Sequence, residues 1–202
     1  MKGESVFTLP NVLTVARLAV AVAIFAILPW RTAGAYLVGF FLFAFATATD
    51  WLDGFIARRF GWTTVLGRML DPFVDKIVIC GTFIYLVAEP RMTQHPEALQ
   101  PWMVVVVLGR EMLVTALRSF VEERGADFSA KWSGKLKMVF QCLVGYLGLL
   151  YLSFVGQPAG EPQWIYWPMV FAVWSMLVIT VYSGVVYVQG AYRLLTAASS
   201  GG

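Results

Sequence analysis

The stretch from Asp50 to Asp75 reads D-W-L-D-G-F-I-A-R-R-F-G-W-T-T-V-L-G-R-M-L-D-P-F-V-D, and it holds four of the chain's five aspartates. Asp50 and Asp53 are three apart, so on a helix they share a face. Gly54 and Ala57 continue that face. Asp71 and Asp75 are four apart, and the spacing places them together on a following helix. Pro72 is tolerated only near a helix start. A turn around Gly61 to Thr64 sets the two helices antiparallel, so all four carboxylates converge at one end of the pair.

The surrounding sequence says what kind of molecule carries this cluster. Of its 202 residues, 59% are hydrophobic and 13% charged, and the mean hydropathy is +0.71. A soluble domain carries about a quarter charged residues. The composition therefore excludes a soluble globule, a disordered tail and a nucleic-acid module, and indicates an integral membrane protein. Six apolar segments are legible: Asn11–Trp30, Ala33–Ala57, Leu66–Ala88, Pro101–Val121, Ser133–Val155 and Trp164–Gln189. Polar–apolar alternation is absent, which argues against a β-barrel. The expectation is an all-α integral membrane protein of about six transmembrane helices, forming one membrane-embedded domain over residues 1–202.

Lysine and arginine placement orients it. With the N-terminus in the cytoplasm, 13 of the 15 basic residues fall on or toward the inner side, and only Arg31 and Arg91 fall outside. Both termini and the aspartate cluster are thus expected at the cytoplasmic face of the inner membrane, in contact with membrane lipids. Trp30, Trp102, Trp164 and Trp167 fall near the outer interface, as an aromatic belt does. Cys80 and Cys142 stand in apolar runs without a partner motif and read as small hydrophobes. The one histidine, His95, lies in a polar loop, so a zinc site or a Ser-His-Asp triad is not expected. No cleavable signal pattern opens the chain.

Four carboxylates at a membrane boundary raise one another's pKa and are costly to keep ionised without compensation. A cation resolves this. Oxygen ligands without Cys or His select a hard ion such as Mg²⁺, Mn²⁺ or Ca²⁺. Four acids suffice for two ions, and two ions can clamp both oxygens of an in-line phosphoryl displacement. Gly54, Ala57 and Gly67 leave room beside the acids for a bulky ligand. Other readings are an ion or proton relay in a transporter, ion pairs with Arg58, Arg59 or Arg68, and small residues used for helix packing.

The pattern D-x2-D-G-x2-A-R-x8-G-x3-D-x3-D is complete from Asp50 to Asp75. It resembles the signature of the CDP-alcohol phosphotransferases. The resemblance implies a six-helix membrane enzyme, usually a homodimer, that moves a phosphatidyl group from a CDP-linked lipid to an alcohol and releases CMP. It implies Mg²⁺ or Mn²⁺, as two ions, on Asp50, Asp53, Asp71 and Asp75, with Asp75 as general base. It implies that Gly54, Ala57, Arg58 and Gly67 line the CDP-lipid pocket. An arginine in Arg58's place is suited to a diphosphate as a forked donor.

Further along stand G-R-E-M-L-V-T-A-L-R, ending at Arg118, and K-W-S-G-K-L-K, ending at Lys137. Arg110, Glu111, Arg118, Lys135 and Lys137 form a second charged group, and cations beside the first site suit an anionic acceptor such as a phosphate. Glu111 would orient an arginine or accept from an acceptor hydroxyl. Arg110 and Glu111 could instead form a structural ion pair, though adjacent residues on a helix do not face each other. The lysines alone would also satisfy the positive-inside rule. This group, with L-P-N-V-L-T-V-A-R near the start, is similar to the bacterial branch of the family whose acceptor is glycerol 3-phosphate and whose donor is CDP-diacylglycerol. Asn11, Thr14 and Arg17 would then cap or line the nucleotide side. Sister branches accept inositol phosphate or phosphatidylglycerol. The last apolar segment shows no usable motif.

Overall fold

The computed structural model describes the backbone of residues 9–60, 65–122, 132–155 and 162–199, and the side chains of 14–50, 73–121, 134–155 and 162–193. Among the described residues all secondary structure is helical. The long helices are α1 (Leu9–Ile27), α2 (Ala33–Phe60), α3 (Val65–Val87), α5 (Pro101–Glu122), α6 (Trp132–Phe154) and α7 (Gln163–Ser199). A one-turn helix, α4 (Pro90–Thr93), sits between α3 and α5. The six apolar segments thus correspond to the six long helices.

Differences lie at the ends. α1 stops at Ile27 and passes into a 3-10 turn, Leu28–Trp30, because Pro29 cannot continue the α-helical ladder. Arg31 follows in the left-handed region at φ 53° and donates from Nη2 to the Ala88 carbonyl at 3.3 Å, tying this turn to the end of α3. α7 runs ten residues beyond Gln189, since loss of apolarity alone does not end a helix. At 37 residues it is about 55 Å long, well over the ~30 Å of a hydrocarbon core.

Among the described residues, three helices are long and apolar enough to cross a membrane by length and composition: Ala33–Asp50, Gly134–Phe154 and Gln163–Arg193. A shorter apolar stretch covers Thr14–Trp30. In α5 the charges Arg110, Glu111 and Arg118 interrupt the apolar run, and in α3 Asp75 and Lys76 do so. Of these charges Arg110 and Glu111 are buried, whereas Asp75, Lys76 and Arg118 are half-buried.

α1 packs on α2 and α3, α6 on α2 and α7, and α5 on α7 and α3. The core gathers Ile24, Phe43, Phe83, Leu86, Met103, Leu149, Tyr151 and Met169, all essentially inaccessible. Large apolar side chains such as Phe41, Val105, Phe171 and Val178 point outward, as lipid-facing helices require. Close approach is set by small residues: a β-carbon on Gly81 would lie 2.1 Å from Phe25 Cζ, so glycine lets α1 reach α3. Cys80 is buried, Cys142 is half-buried, and neither forms a disulfide.

Alternating helix directions sort the polar residues to two ends. One end carries Arg17, Asp50, Asp75, Arg110, Glu111, Arg118 and Lys137. The other carries exposed Trp30, Trp102, Trp164 and Trp167, the last two opening α7. There Glu89 is buried, accepts from Tyr36 Oη at 2.7 Å and lies near Arg31 and Arg91. Beside it is a cavity of about 270 Å³, lined by Tyr36, Tyr85, Arg31 and Glu89, remote from the aspartates. In the nearby loop, Tyr166 Oη donates to the Glu97 carboxylate and His95 meets the Tyr166 ring edge-on.

Candidate active site

Asp50 comes from the C-terminal part of α2 and Asp75 from the N-terminal half of α3. The two helices are antiparallel, so their carboxylates meet. The point of meeting is Arg17 of α1, whose Nη1 lies 2.8 Å from Asp50 Oδ1 and 2.5 Å from Asp75 Oδ1. Arg17 is 2% exposed, whereas the two carboxylates keep about a quarter of their surface open. A narrow cleft at this point is lined by Thr47, Val78, Ile79 and Met138 as well. Thr47, one turn before Asp50, bonds the Tyr146 hydroxyl of α6 and its own helix's Phe43 carbonyl, which fixes that turn of α2. Thr14, one turn before Arg17, is buried on the same face of α1.

The family resemblance suggests the nucleotide side for Arg17, and the structure places its guanidinium against two of the expected metal-binding carboxylates. The physical reason is countercharge: two part-buried carboxylates this close need a cation. The same observation tests whether a hard cation fits. Asp50 and Asp75 offer hard carboxylate oxygens of the kind Mg²⁺ and Mn²⁺ take, but the point they share is held by Arg17 Nη1, and among the described residues no group of three or more acids, histidines or cysteines comes together to hold a metal ion. The side chains of Asn11, Asp53, Gly54, Ala57, Arg58, Gly67 and Asp71 lie outside the described residues. The backbone places Asp53 one turn beyond Asp50 on α2, and Asp71 one turn before Asp75 on α3.

The second charged group is split by the structure. Glu111 is buried and accepts from Lys137 Nζ, from Arg110 Nη1 at 3.4 Å and from Gln141 Nε2 at 3.4 Å, all on one oxygen, Oε1. Arg110 and Glu111 therefore do pair, although they are adjacent. The long arginine side chain folds back because burial leaves it no water to turn to. Arg118 reaches the Tyr187 hydroxyl from Nη2 at 3.4 Å. Lys135 is exposed and stands apart from this group. Lys76, beside Asp75, bonds the Thr115 hydroxyl and links α3 to α5 between the two clusters.

Sequence reasoning missed Gln141, Ser183 and Tyr187. Ser183 Oγ accepts from Arg110 Nε at 3.1 Å, and the Arg110 guanidinium lies 5.4 Å from the Tyr187 ring centroid. A signal was available. Thr180, Ser183, Gly184, Tyr187 and Ala191 recur at helical spacing on α7, and they make a narrow polar and small-residue face on an apolar helix.

A sequence model of the family described as CDP-alcohol phosphatidyltransferase matches residues 7–186. The chain belongs to this family. It is similar to a CDP-diacylglycerol–glycerol-3-phosphate 3-phosphatidyltransferase of Bacillus subtilis, with 31% identity covering 94% of this chain and 97% of the relative. A protein of the same name from Salmonella choleraesuis is 29% identical over 85% of this chain and 92% of its own. A probable phosphatidylglycerophosphate synthase of Mycobacterium tuberculosis is 35% identical over 92% of this chain and 82% of its own. The family match covers the aspartate pair, Arg110, Glu111 and Arg118, and it ends at Val186 on α7, one residue before Tyr187.

Proposed function

We propose that this chain transfers the phosphatidyl group of CDP-diacylglycerol to glycerol 3-phosphate, giving phosphatidylglycerophosphate and CMP. The observation that carries it is the convergence of Asp50 and Asp75 on one point from consecutive helices, within a complete family signature. The relatives named for this reaction support the choice of acceptor.

In this reading the acceptor hydroxyl oxygen bonds to the lipid-side phosphorus, the bond to the CMP oxygen breaks in line, and the hydroxyl proton leaves toward Asp75. Asp50, Asp53, Asp71 and Asp75 would hold two divalent cations, Mg²⁺ or Mn²⁺, which would supply positive charge to the diphosphate and to the departing CMP. Arg58, with Gly54, Ala57 and Gly67, receives the CDP moiety. Arg17 keeps Asp50 and Asp75 oriented toward each other. Arg110 and Arg118 bind the acceptor phosphate, while Glu111, itself held by Lys137, fixes Arg110 from behind. The aspartate end faces the cytoplasm, where CDP and glycerol 3-phosphate are soluble, and the tryptophan-rich end faces outward. The protein works as a homodimer, as its family resemblance implies.

CMP release from CDP-diacylglycerol by the purified protein, with glycerol 3-phosphate, inositol phosphate or phosphatidylglycerol as acceptor, tests the reaction. Glycerol 3-phosphate is expected to support it and EDTA to stop it. CMP release with a different alcohol alone would reassign the acceptor, and no CMP with any alcohol would refute the transferase reading.

A further inference from the structure

Arg110 and Arg118 are eight residues apart on α5, and one residue of α7 touches both. Tyr187, 2% exposed, offers its ring face to the Arg110 guanidinium at 5.4 Å and its hydroxyl to Arg118 Nη2 at 3.4 Å. One turn earlier Ser183 accepts from Arg110 Nε at 3.1 Å, and its own hydroxyl donates to the Thr180 carbonyl at 3.1 Å. Between them Gly184 keeps α7 clear of the arginine: a β-carbon there would lie 3.3 Å from Arg110 Cγ. Val114, Val121, Leu117 and Ala191 surround Tyr187 in a small apolar cluster of their own.

With these contacts made, each arginine retains a buried donor without a hydrogen-bond partner among the described residues, Arg110 Nη2 and Arg118 Nε. Buried donors are nearly always paired, and an unpaired one at a candidate site marks a place for an acceptor oxygen. Two guanidiniums that turn toward one anion repel each other, so something must hold them in register when no anion is between them. Tyr187 does so by offering a π-face to one and a hydroxyl to the other.

We propose that Tyr187, supported by Ser183, is the positioning residue that holds Arg110 and Arg118 for the phosphate monoester of the acceptor, so that α7 helps set the preference for a phosphorylated alcohol. This rests on the function proposed above.

The test is steady-state kinetics of Tyr187→Phe, Tyr187→Leu and Ser183→Ala, varying each substrate in turn, with glycerol as an unphosphorylated comparison acceptor. Tyr187→Phe keeps the ring and its packing and loses only the hydroxyl. It is expected to raise the acceptor KM about threefold to tenfold, and Tyr187→Leu, which also loses the ring, by a further factor of about three or more. The KM for CDP-diacylglycerol is expected to stay within about twofold, the order of change a remote contact produces. The advantage of glycerol 3-phosphate over glycerol should narrow in the same order. Stabilisation of the protein against heat by glycerol 3-phosphate alone should weaken in parallel, which reads binding without turnover.

An unchanged acceptor KM in a folded Tyr187→Phe and Tyr187→Leu would overturn the proposal. So would equal changes in both KM values together with a lowered melting temperature, the pattern of a merely structural residue. Should Tyr187→Leu fail to fold, Tyr187→Phe decides alone. A wild-type protein that releases no CMP with any phosphorylated alcohol would instead overturn the function on which the proposal rests.

Discussion

Arg17 and Asp75, 58 positions apart in sequence, meet at 2.5 Å, and the same nitrogen of Arg17 lies 2.8 Å from Asp50. One buried guanidinium therefore organises two acids from two other helices. Replacing it with a neutral side chain leaves two carboxylates facing each other. Arg17→Gln is expected to cost about 1–3 kcal/mol in EDTA, and Mg²⁺ should raise its melting temperature by more than it raises that of the wild type. Thermal melts in detergent with EDTA or Mg²⁺ measure this. Equal Mg²⁺ responses would show that Arg17 is not the countercharge of this site.

Asp75→Asn removes the proton acceptor and keeps the size of the side chain. Turnover should fall by about 10²–10⁴-fold, the range for loss of a general base, with CDP-lipid binding largely retained. CMP-release rates and CDP-diacylglycerol affinity, taken on the same preparation, separate the two effects. Turnover at the wild-type rate would remove Asp75 from the role of base.

Glu111 neutralises buried Lys137 and Arg110 at once. Glu111→Ala strands both cations and is expected to destabilise the protein by about 3–5 kcal/mol. Adding Lys137→Met to it should recover a substantial part of that loss, because one stranded charge is then gone. A double-mutant cycle on denaturation midpoints reads the coupling, and strictly additive effects would show that the pair is not an energetic unit.

Gly81 is a packing requirement of α1 on α3. Gly81→Ala places a methyl group within 2.1 Å of the present Phe25 ring, which must move. Overpacking of this kind costs about 1–3 kcal/mol. The loss should appear as a lower melting temperature and should be relieved by Phe25→Leu in the same chain.

Outside the spans, the hydrogen bond from Tyr166 holds the Glu97 carboxyl below its ordinary pKa, with a smaller lowering from a backbone hydrogen bond. A depressed carboxyl contributes stability that is present above its unfolded pKa and is lost as pH falls through its folded pKa. Glu97→Gln should accordingly reduce the acid-side slope of the melting temperature below about pH 4.5, near the ordinary glutamate range, and leave it unchanged near neutrality. A pH series of melts on both proteins checks the sign.

The meeting of Asp50 and Asp75 was legible because helical periodicity turns spacing into a shared face, and because few charges on so apolar a chain make each one conspicuous. Asp50 and Asp75 do meet. The acceptor group was legible as a set of residues but not as a set of contacts. Lys135 and Lys137 look equivalent in sequence, two apart at the start of one helix. They point to different sides, so one is exposed and the other is buried on Glu111. The polar face of α7 went unread because tyrosine, serine and glycine are ordinary in a membrane helix until a partner shows which face they form.

The helical class, the six long elements, the family signature and the residue types gathered at one end could all be read from the linear chain. They follow from local periodicity and composition, which need no knowledge of neighbours. That Arg17 serves Asp50 and Asp75, that Glu111 collects Lys137 and Arg110, and that Tyr187 spans two arginines emerged only from the packed helices. Each of those pairings depends on which helices lie side by side and at what rotation. The apolar surface of a membrane helix, similar on every side, does not encode that choice within any one segment.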